Sequence, residues 1–131
     1  MTLHLLKLAV GIDDIEQLRR VRVTRAAERG GDWIYTRNHP RRAQEVLAGG
    51  SIYWIIRGQI RVRQRVTGFR SSRDDDGRRY CAIGVDKRLV PTWLRPWRPF
   101  QGWRYLSPHD APSDCFGVTE PLSDRLFSEL R

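Results

Sequence analysis

The feature that most restricts the fold of this chain is the alternation of polar and apolar residues over positions 57–66, RGQIRVRQRV. Successive side chains of a β-strand point to opposite faces of the sheet. The alternation therefore predicts a strand that buries Ile60, Val62 and Val66 and turns its basic residues toward solvent. The predicted outward row of guanidinium groups consists of Arg57, Arg61, Arg63 and Arg65.

This arginine row has two interpretations. Alternate residues of a strand lie about 6.6 Å apart, so their guanidinium groups can contact successive phosphates of a nucleic acid. Charged residues on a strand also prevent a sheet edge from pairing with other chains. We favour the anion site, because Arg41 and Arg42 stand at the predicted start of a helix, where the helix dipole favours acidic residues instead.

Predicted strands and helices follow one another along the rest of the chain. Strands are predicted at residues 3–10, 33–37, 51–58, 59–69, 78–86 and 87–93, and helices within residues 11–32, 40–48 and 121–131. The fifth of these strands is the expected antiparallel partner of the fourth. This order predicts a single α+β domain over residues 1–131, with a small mixed or antiparallel curled sheet or barrel and two or three flanking helices.

Particular residues predict where several elements begin or bend. Asp13 with Glu16 resembles a capping box at the start of the first helix. Pro40 is expected at the first position of the second helix, which Gly49 and Gly50 would end. Gly58 is expected to allow a bend or bulge in an extended segment.

The balance of charge favours an anionic partner. The chain has 24 Lys and Arg residues against 15 Asp and Glu, a net charge of +9. Only Lys7 and Lys87 are lysines, so arginine supplies the remaining 22 basic residues. Arginine binds phosphate as a planar fork and stacks on flat rings. A bias toward arginine codons would also produce this composition, so the charge raises the expectation of an anionic partner without naming one.

Residues 95–106, RPWRPFQGWRYL, combine three arginines with four aromatic side chains. Aromatic rings interleaved with cations are typical of surfaces that bind single-stranded nucleic acid. Such a surface is predicted for Trp93, Trp97, Arg98 and Arg104. Large rings are also common in cores, and for Phe100, Trp103 and Tyr105 we favour burial that closes the open end of a barrel.

The segment NHPRR, residues 38–42, supports an alternative to nucleic-acid binding. His39 stands between Asn38 and the two arginines Arg41 and Arg42. A small enzyme that acts on a phosphorylated or nucleotide-like metabolite could use these groups, and it would need a concave pocket beside them. A histidine in such a segment also commonly caps a turn.

The titratable residues predict no metal site, no cofactor and no catalytic residues. His4, His39 and His109 are scattered, and no pair has the spacing of metal ligands on a helix. Cys81 and Cys115 are far apart in sequence, and a buried free thiol is the favoured role of Cys81. The run DDDG at 74–77 lacks the alternating carboxylates of a calcium loop and predicts a turn.

A cytoplasmic protein with no membrane segment is expected. No apolar run approaches the roughly 18–20 residues that span a bilayer. The first ten residues contain Lys7 inside the apolar stretch and no small-residue cleavage signal, so they predict a strand rather than an export peptide.

Several sequence blocks resemble a known family. The blocks TRNHPRRAQEVLAGGSIYWIIRG, RQR and RPFQGWRYL are similar to an uncharacterised bacterial family of short proteins, a domain of unknown function. The resemblance runs from residue 3 to about residue 112. It implies a short, cytoplasmic protein and brings no assigned activity.

A second, weaker similarity is to the PUA-like folds, small β-barrels with flanking helices that include RNA-binding modules. The order of helix, Gly-Gly, apolar strand and basic strand carries it. One branch of these folds has the pattern Gly-x-Lys-x-x-Glu-x-Arg, but the residues after Gly58 contain neither that lysine nor that glutamate. No active site is carried over.

We therefore expect a small α+β, PUA-like domain that binds RNA or another anionic ligand through the arginine row, the two arginines at 41 and 42, and the tryptophans at 93 and 97. The enzyme at residues 38–42 is the alternative. A third hypothesis is an adaptor whose exposed tryptophans contact a protein partner.

Overall fold

Seven strands and two helices are formed in the computed structural model, which describes residues 2–115. In chain order they are β1 (His4–Leu8), α1 (Ile15–Arg29), β2 (Trp33–Thr36), α2 (Ala43–Leu47), β3 (Ser51–Ile56), β4 (Gln59–Arg73), β5 (Arg79–Val85), β6 (Val90–Pro96) and β7 (Trp103–Leu106). The helix predicted at residues 121–131 lies outside the described residues.

The long strand β4 organises the sheet, whose order is β2-β5-β4-β3-β1-β7 with β6 also paired to β4. The first half of β4 pairs with β3 and β6, and the second half pairs with β5. Register shifts interrupt all three pairings, and such irregularities bend a strand and increase its twist. The predicted α+β class and mixed, curled sheet are confirmed, and the sheet does not close into a barrel.

The predicted alternation in β4 is confirmed. Ile60, Val62 and Val66 are buried, and the arginines between them are at least partly exposed. Gln64 shares the inward parity and is fully buried. Its side chain accepts a hydrogen bond from the Trp54 indole at 2.9 Å, so this strand places a polar group in the core as well as apolar ones.

Apolar side chains pack on both faces of the sheet. One cluster includes Ile15 and Leu18 of α1 and the core-facing residues of β3, β4 and β5. A second cluster contains Leu6, Tyr53, Ile55, Ile60 and Leu106, and Trp97 and Phe100 are partly buried against it. Residues after β6 therefore cover the second face, which completes the burial of the sheet centre.

The stretch at 95–106 is more regular than its two prolines suggest. Residues Trp103–Leu106 form β7, which pairs antiparallel with β1. Trp103 and Tyr105 are partly buried against the first core cluster. Burial of Phe100, Trp103 and Tyr105 is confirmed, but these rings cover faces of an open sheet, because no barrel end exists for them to close.

Both helix starts differ from the predicted positions. Asp14, not Asp13, caps α1, and its carboxylate accepts from the Gln17 backbone N–H at 2.7 Å. The helix predicted to begin at Pro40 begins at Ala43. The Asn38 carbonyl accepts from the Trp103 indole, and the Arg42 N–H donates to the Tyr105 hydroxyl. These long-range bonds hold residues 38–42 as a turn.

The segment after β3 reverses direction rather than continuing. Arg57 and Gly58 both have positive φ angles, 52° and 79°, the conformation that two-residue hairpin turns with the twist of antiparallel strands require. β3 and β4 therefore form a hairpin where a bend or bulge at Gly58 was predicted. Within the described residues, no helix combines the length and apolar character needed to traverse a bilayer.

Candidate nucleic-acid interface

The predicted arginine row is interrupted by partners within the protein. Arg63 donates two hydrogen bonds of 2.7 Å to the Asp114 carboxylate and one of 3.0 Å to the Ser51 hydroxyl. Arg61 donates to the Ile56 carbonyl at 3.2 Å. Arg57 and Arg65 are exposed; Arg57 lies in the hairpin turn and Arg65 lies farther along β4. The four guanidinium groups thus do not form one continuous outward row.

The same region contains a histidine that the fold keeps neutral. The His4 Nδ1 accepts from the Ser51 backbone N–H at 3.0 Å, and its ring contacts Tyr53 edge-on. Burial first, and the Arg63 guanidinium second, hold the pKa of His4 below its ordinary value of 6.5. A proton on His4 is therefore bound more weakly in the folded protein than in the unfolded chain.

We expect the free energy of unfolding to fall as the pH is lowered from 7.5 through about 6.5 and below, because protonation then favours the unfolded chain. Urea unfolding of wild type and His4→Gln at matched pH values measures this, since glutamine keeps an acceptor without titrating. His109→Gln is the control, as His109 lies in an exposed turn. An equal loss of stability on acidification in the wild type and His4→Gln would contradict the prediction.

The aromatic residues predicted as stacking platforms are separated. Trp97 packs against the second core cluster and lies beside the hairpin turn, because its N–H donates to the Gly58 carbonyl. Trp93 is 37% exposed and Arg98 is exposed. The Arg104 guanidinium lies over the Phe100 ring and donates to the Gln101 and Trp103 carbonyls. The structure places Trp97 beside the hairpin turn that contains Arg57, but it does not join all these residues in one surface.

Two further predicted residues lie in the turn before α2. Arg42 donates to both carboxylate oxygens of Glu45, at 2.6 and 2.7 Å, which raises the pKa of Arg42. Arg41 is exposed. The adaptor hypothesis required several exposed tryptophans, and among the five tryptophans Trp93 alone falls in the exposed group.

A basic cleft lies at the other end of β4, where β4 and β5 extend beyond β2. It has a volume of about 700 Å³. Its lining consists of Arg37, Asn38, His39, Ser71, Ser72, Arg73, Arg78, Arg79 and Tyr80. A concave pocket beside residues 38–42 was predicted for the enzyme alternative and is present, although Arg41 and Arg42 do not line it.

Pairing of β4 with β5 builds the cleft, since Arg73 lies directly opposite Arg79. The turn that joins these strands is fixed by Asp74, whose carboxylate accepts from the backbone N–H groups of Asp76 and Arg78. The hydrogen bond from Arg78 is the main cause of the lowered pKa of Asp74. The carboxylate also accepts from Arg37 at 3.3 Å. Asp74 is thus occupied with the turn and with one arginine.

Three arginines of the basic cleft make no ion pair within residues 2–115. Arg73 donates to the Gly77 carbonyl at 2.8 Å, and neither Arg78 nor Arg79 has a side-chain partner in that part of the chain. Guanidinium groups without carboxylate partners are available to an external anion. They differ in this respect from Arg42 and Arg63, which are held by internal carboxylates.

Two tyrosines continue the cleft. Tyr35 and Tyr80 line an adjoining space of about 630 Å³ together with Arg37 and Arg73. Their rings meet edge-on with centroids 5.5 Å apart, and the Arg29 guanidinium lies 4.3 Å from the Tyr35 ring centroid. Tyr35 is 43% exposed, so its ring is accessible to a second flat group.

A small polar cluster lies at the back of the cleft. The His39 Nδ1 is 3.0 Å from the Ser71 hydroxyl oxygen and 3.6 Å from the Cys81 sulfur. Burial raises the pKa of the Cys81 thiol, which keeps the sulfur protonated and weakly nucleophilic. Cys81 and Cys115 are both buried free thiols, as predicted for Cys81. Residues 2–115 contain no cluster of side chains that could hold a metal ion.

Sequence reasoning missed the cleft because it ended the fourth predicted strand at residue 69, whereas β4 continues to Arg73. The signal was nonetheless present, since the predicted antiparallel pairing of the strands around DDDG brings Arg73 near Arg78 and Arg79. What the sequence alone did not indicate is that the segment after β2 adds Arg37 and His39 to the same surface.

These features define an α+β protein with a curled, mostly antiparallel sheet and an arginine-lined cleft at one end of it. The chain belongs to the family described as "Protein of unknown function (DUF1489)", whose model matches residues 5–131. The resemblance to a domain-of-unknown-function family is thereby confirmed. No curated protein and no solved structure matches the chain, so the likeness to PUA-like folds stays a prediction.

Proposed function

We propose that the protein binds single-stranded RNA in the basic cleft. The observation that carries this proposal is the presence of Arg73, Arg78 and Arg79, without ion pairs in the described chain, beside two tyrosine rings. Arginine forks suit phosphate oxygens, and bases stack on aromatic rings irrespective of sequence. This site replaces the arginine row as the centre of the interface, because internal partners hold Arg61 and Arg63.

The dimensions and the polar lining favour RNA in single-stranded form. A cleft of about 700 Å³ is of ligand-pocket size, so it accepts a nucleotide or two and not a duplex. Asn38, Ser71 and Ser72 line it as well. Their amide and hydroxyl groups can exchange hydrogen bonds with the ribose 2′-hydroxyl, the group by which proteins distinguish RNA from DNA.

The test is the salt dependence of RNA binding by two matched double variants. Arg78→Gln/Arg79→Gln removes two charges from the cleft, and Arg57→Gln/Arg65→Gln removes two exposed charges outside it. Fluorescence anisotropy with a labelled mixed-sequence single-stranded RNA gives the affinity at several salt concentrations. We expect the cleft variant to bind at least about tenfold more weakly at low salt, with a salt slope reduced by about 1.4, since each lost contact to a single strand removes about 0.7.

The control variant is expected to keep the wild-type salt slope to within a few tenths. Equal losses in the two variants would mean that binding follows net charge alone and would refute a site in the cleft. No binding at low salt by the wild type would refute the proposal as a whole.

A second candidate function is an enzyme acting on a phosphorylated or nucleotide-like metabolite. The contact of 3.0 Å between His39 and Ser71 favours it, because a nucleophile and a base at hydrogen-bond distance can work together. The same RNA incubated with wild type and His39→Asn distinguishes the two. A modified or shortened product that depends on His39 supports the enzyme, and unchanged RNA supports binding alone.

A further inference from the structure

A second cavity, of about 280 Å³, lies between α1 and the sheet. We call it the α1 pocket and define it by Lys7, Arg22, Arg25, Arg29, Tyr35 and Trp54, with apolar side chains completing its walls. Four cations therefore surround a space close to the smallest size at which small-molecule sites are found. None of the arginines at 73, 78 and 79 contributes to it.

Arg22 is the most unusual member of this group. It follows Ile15 and Leu18 on the buried face of α1 and is 8% exposed. Its Nη1 donates to the Asp32 carboxylate at 3.2 Å, and its guanidinium carbon lies 5.8 Å from the Trp54 ring centroid. Its Nε is buried and has no hydrogen-bond partner within residues 2–115. A buried donor without an acceptor is costly, and this atom is closed to solvent, so the fold keeps a cation beside the pocket at a cost in stability.

Lys7 gives the pocket a second unsatisfied cation. It lies on β1 opposite Trp54 of β3, and its ammonium has neither a hydrogen bond nor an ion pair in the described part of the chain. Burial and the nearby Arg22 lower the pKa of Lys7, and burial also lowers the pKa of Arg22. Asp32 is the carboxylate that faces Arg22, and it is shared with the Gln64 amide at 3.1 Å. The cations of the pocket thus outnumber the acid beside them.

We propose that the α1 pocket binds a small molecule through a phosphate group, with the Lys7 ammonium and the guanidinium groups of Arg22, Arg25 and Arg29 as the cations that surround it. Such an anion supplies the missing counter-charge for Lys7. Arg25 and Arg29 extend the positive surface toward the mouth of the pocket. The Trp54 and Tyr35 rings offer flat apolar surface to the rest of the ligand. Tyr35 also lines the space that continues the basic cleft, so the two sites are distinguished by their cations, Lys7 here and Arg73, Arg78 and Arg79 there.

Calorimetric titration of the full chain with inorganic phosphate tests the site, with succinate as the carboxylate arm. We expect phosphate to bind, and Lys7→Met, which keeps most of the side-chain stem, to bind it at least tenfold more weakly. Arg25→Gln is expected to weaken binding severalfold. Arg20→Gln is the matched control, because it removes an exposed charge from the same helix outside the pocket, and its affinity is expected to equal that of the wild type.

Two further measurements make the result decisive. Without phosphate, Lys7→Met is expected to melt at a higher temperature than the wild type, because an unpaired, half-buried ammonium is removed, so its loss of binding is not a loss of fold. Arg78→Gln/Arg79→Gln is expected to keep the phosphate binding that Lys7→Met loses. If that variant loses phosphate binding, the anion binds in the basic cleft and the α1 pocket proposal is wrong. Wild-type affinity in Lys7→Met, binding of succinate but not phosphate, or no binding of phosphate by the wild type would also overturn it.

Discussion

Replacement of Gly50 by alanine is expected to destabilise the protein by about 3 kcal/mol, the upper part of the usual range for adding a methyl group to a packed site. A Cβ on Gly50 would overlap the Leu3 carbonyl oxygen and lie 2.6 Å from the Val46 carbonyl oxygen. Both are backbone atoms, which cannot move aside as the end of a flexible side chain can. Urea unfolding at constant pH measures the change.

The reason for this effect is the position of Gly50 at a crossing of elements. Its N–H donates to the Val46 carbonyl at the end of α2, and its carbonyl accepts from the Val66 N–H of β4. A shift of Gly50 would disturb α2 and β4 together, and it would displace Leu3, the residue before β1. The added methyl group would therefore disrupt several native contacts at once.

Gly68→Ala is the matched control for Gly50→Ala. Gly68 lies within β4, and a Cβ built on it meets no atom within 4 Å. We expect its effect to stay within about 0.5 kcal/mol, as is usual for surface substitutions. A comparable loss in both variants would mean that glycine flexibility, and not the close approach at Gly50, determines the result.

The two neighbouring glycines show what a local sequence pattern can predict and what it cannot. The pair Gly49–Gly50 correctly predicts the end of a helix, and Gly49 has a φ of 107°, a conformation that favours glycine. Gly50 is required for a different reason, namely the lack of space beside β1, which lies more than 40 residues earlier in the chain. The local pattern predicts the turn but not the packing around it.

The arginine row shows the same limit at the candidate site. The alternation in β4 predicts which side chains face outward, and burial confirms that prediction. Asp114 reaches Arg63 because residues 113–115 bond to β6, through Trp93 with Ser113 and Cys115 with Pro91. That connection spans 51 residues. Whether an outward arginine is available to a ligand thus depends on a tertiary contact that no local pattern records.

Polar residues at predicted core positions are a sequence signal that would have indicated a buried polar network. Gln64 has the inward parity of β4, and Arg22 follows Ile15 and Leu18 at helical spacing. A polar residue at such a position must find a partner inside the protein. These two side chains do so by meeting the same group, the Asp32 carboxylate.

Asp32→Asn is expected to lower the free energy of unfolding by about 3 kcal/mol, because it leaves the buried guanidinium of Arg22 without its counter-ion. The Asp32 side chain is 4% exposed, so water does not replace the lost charge. Its two oxygens accept from Arg22 and from Gln64, and an asparagine can offer an oxygen to only one of them. Glu16→Gln is the comparison, since it removes the partner of the exposed Arg19 and is expected to cost about 0.5 kcal/mol or less.

The double variant Arg22→Met/Asp32→Asn separates the buried charge from the rest of the network. Methionine keeps apolar contact with Trp54 and removes the cation, while the asparagine oxygen still accepts from Gln64. We expect the double variant to recover to within about 1 kcal/mol of the wild type, and so to be about 2 kcal/mol more stable than Asp32→Asn, because the unpaired buried cation is gone. If the double variant is as unstable as Asp32→Asn, the loss of stability comes from a weakened hydrogen bond between residue 32 and Gln64. It then does not come from the unpaired Arg22 guanidinium. If the double variant recovers its stability but does not bind phosphate, Arg22 is kept in the core because it binds a ligand. Methionine at this position would then be the more stable residue but would not bind the phosphate.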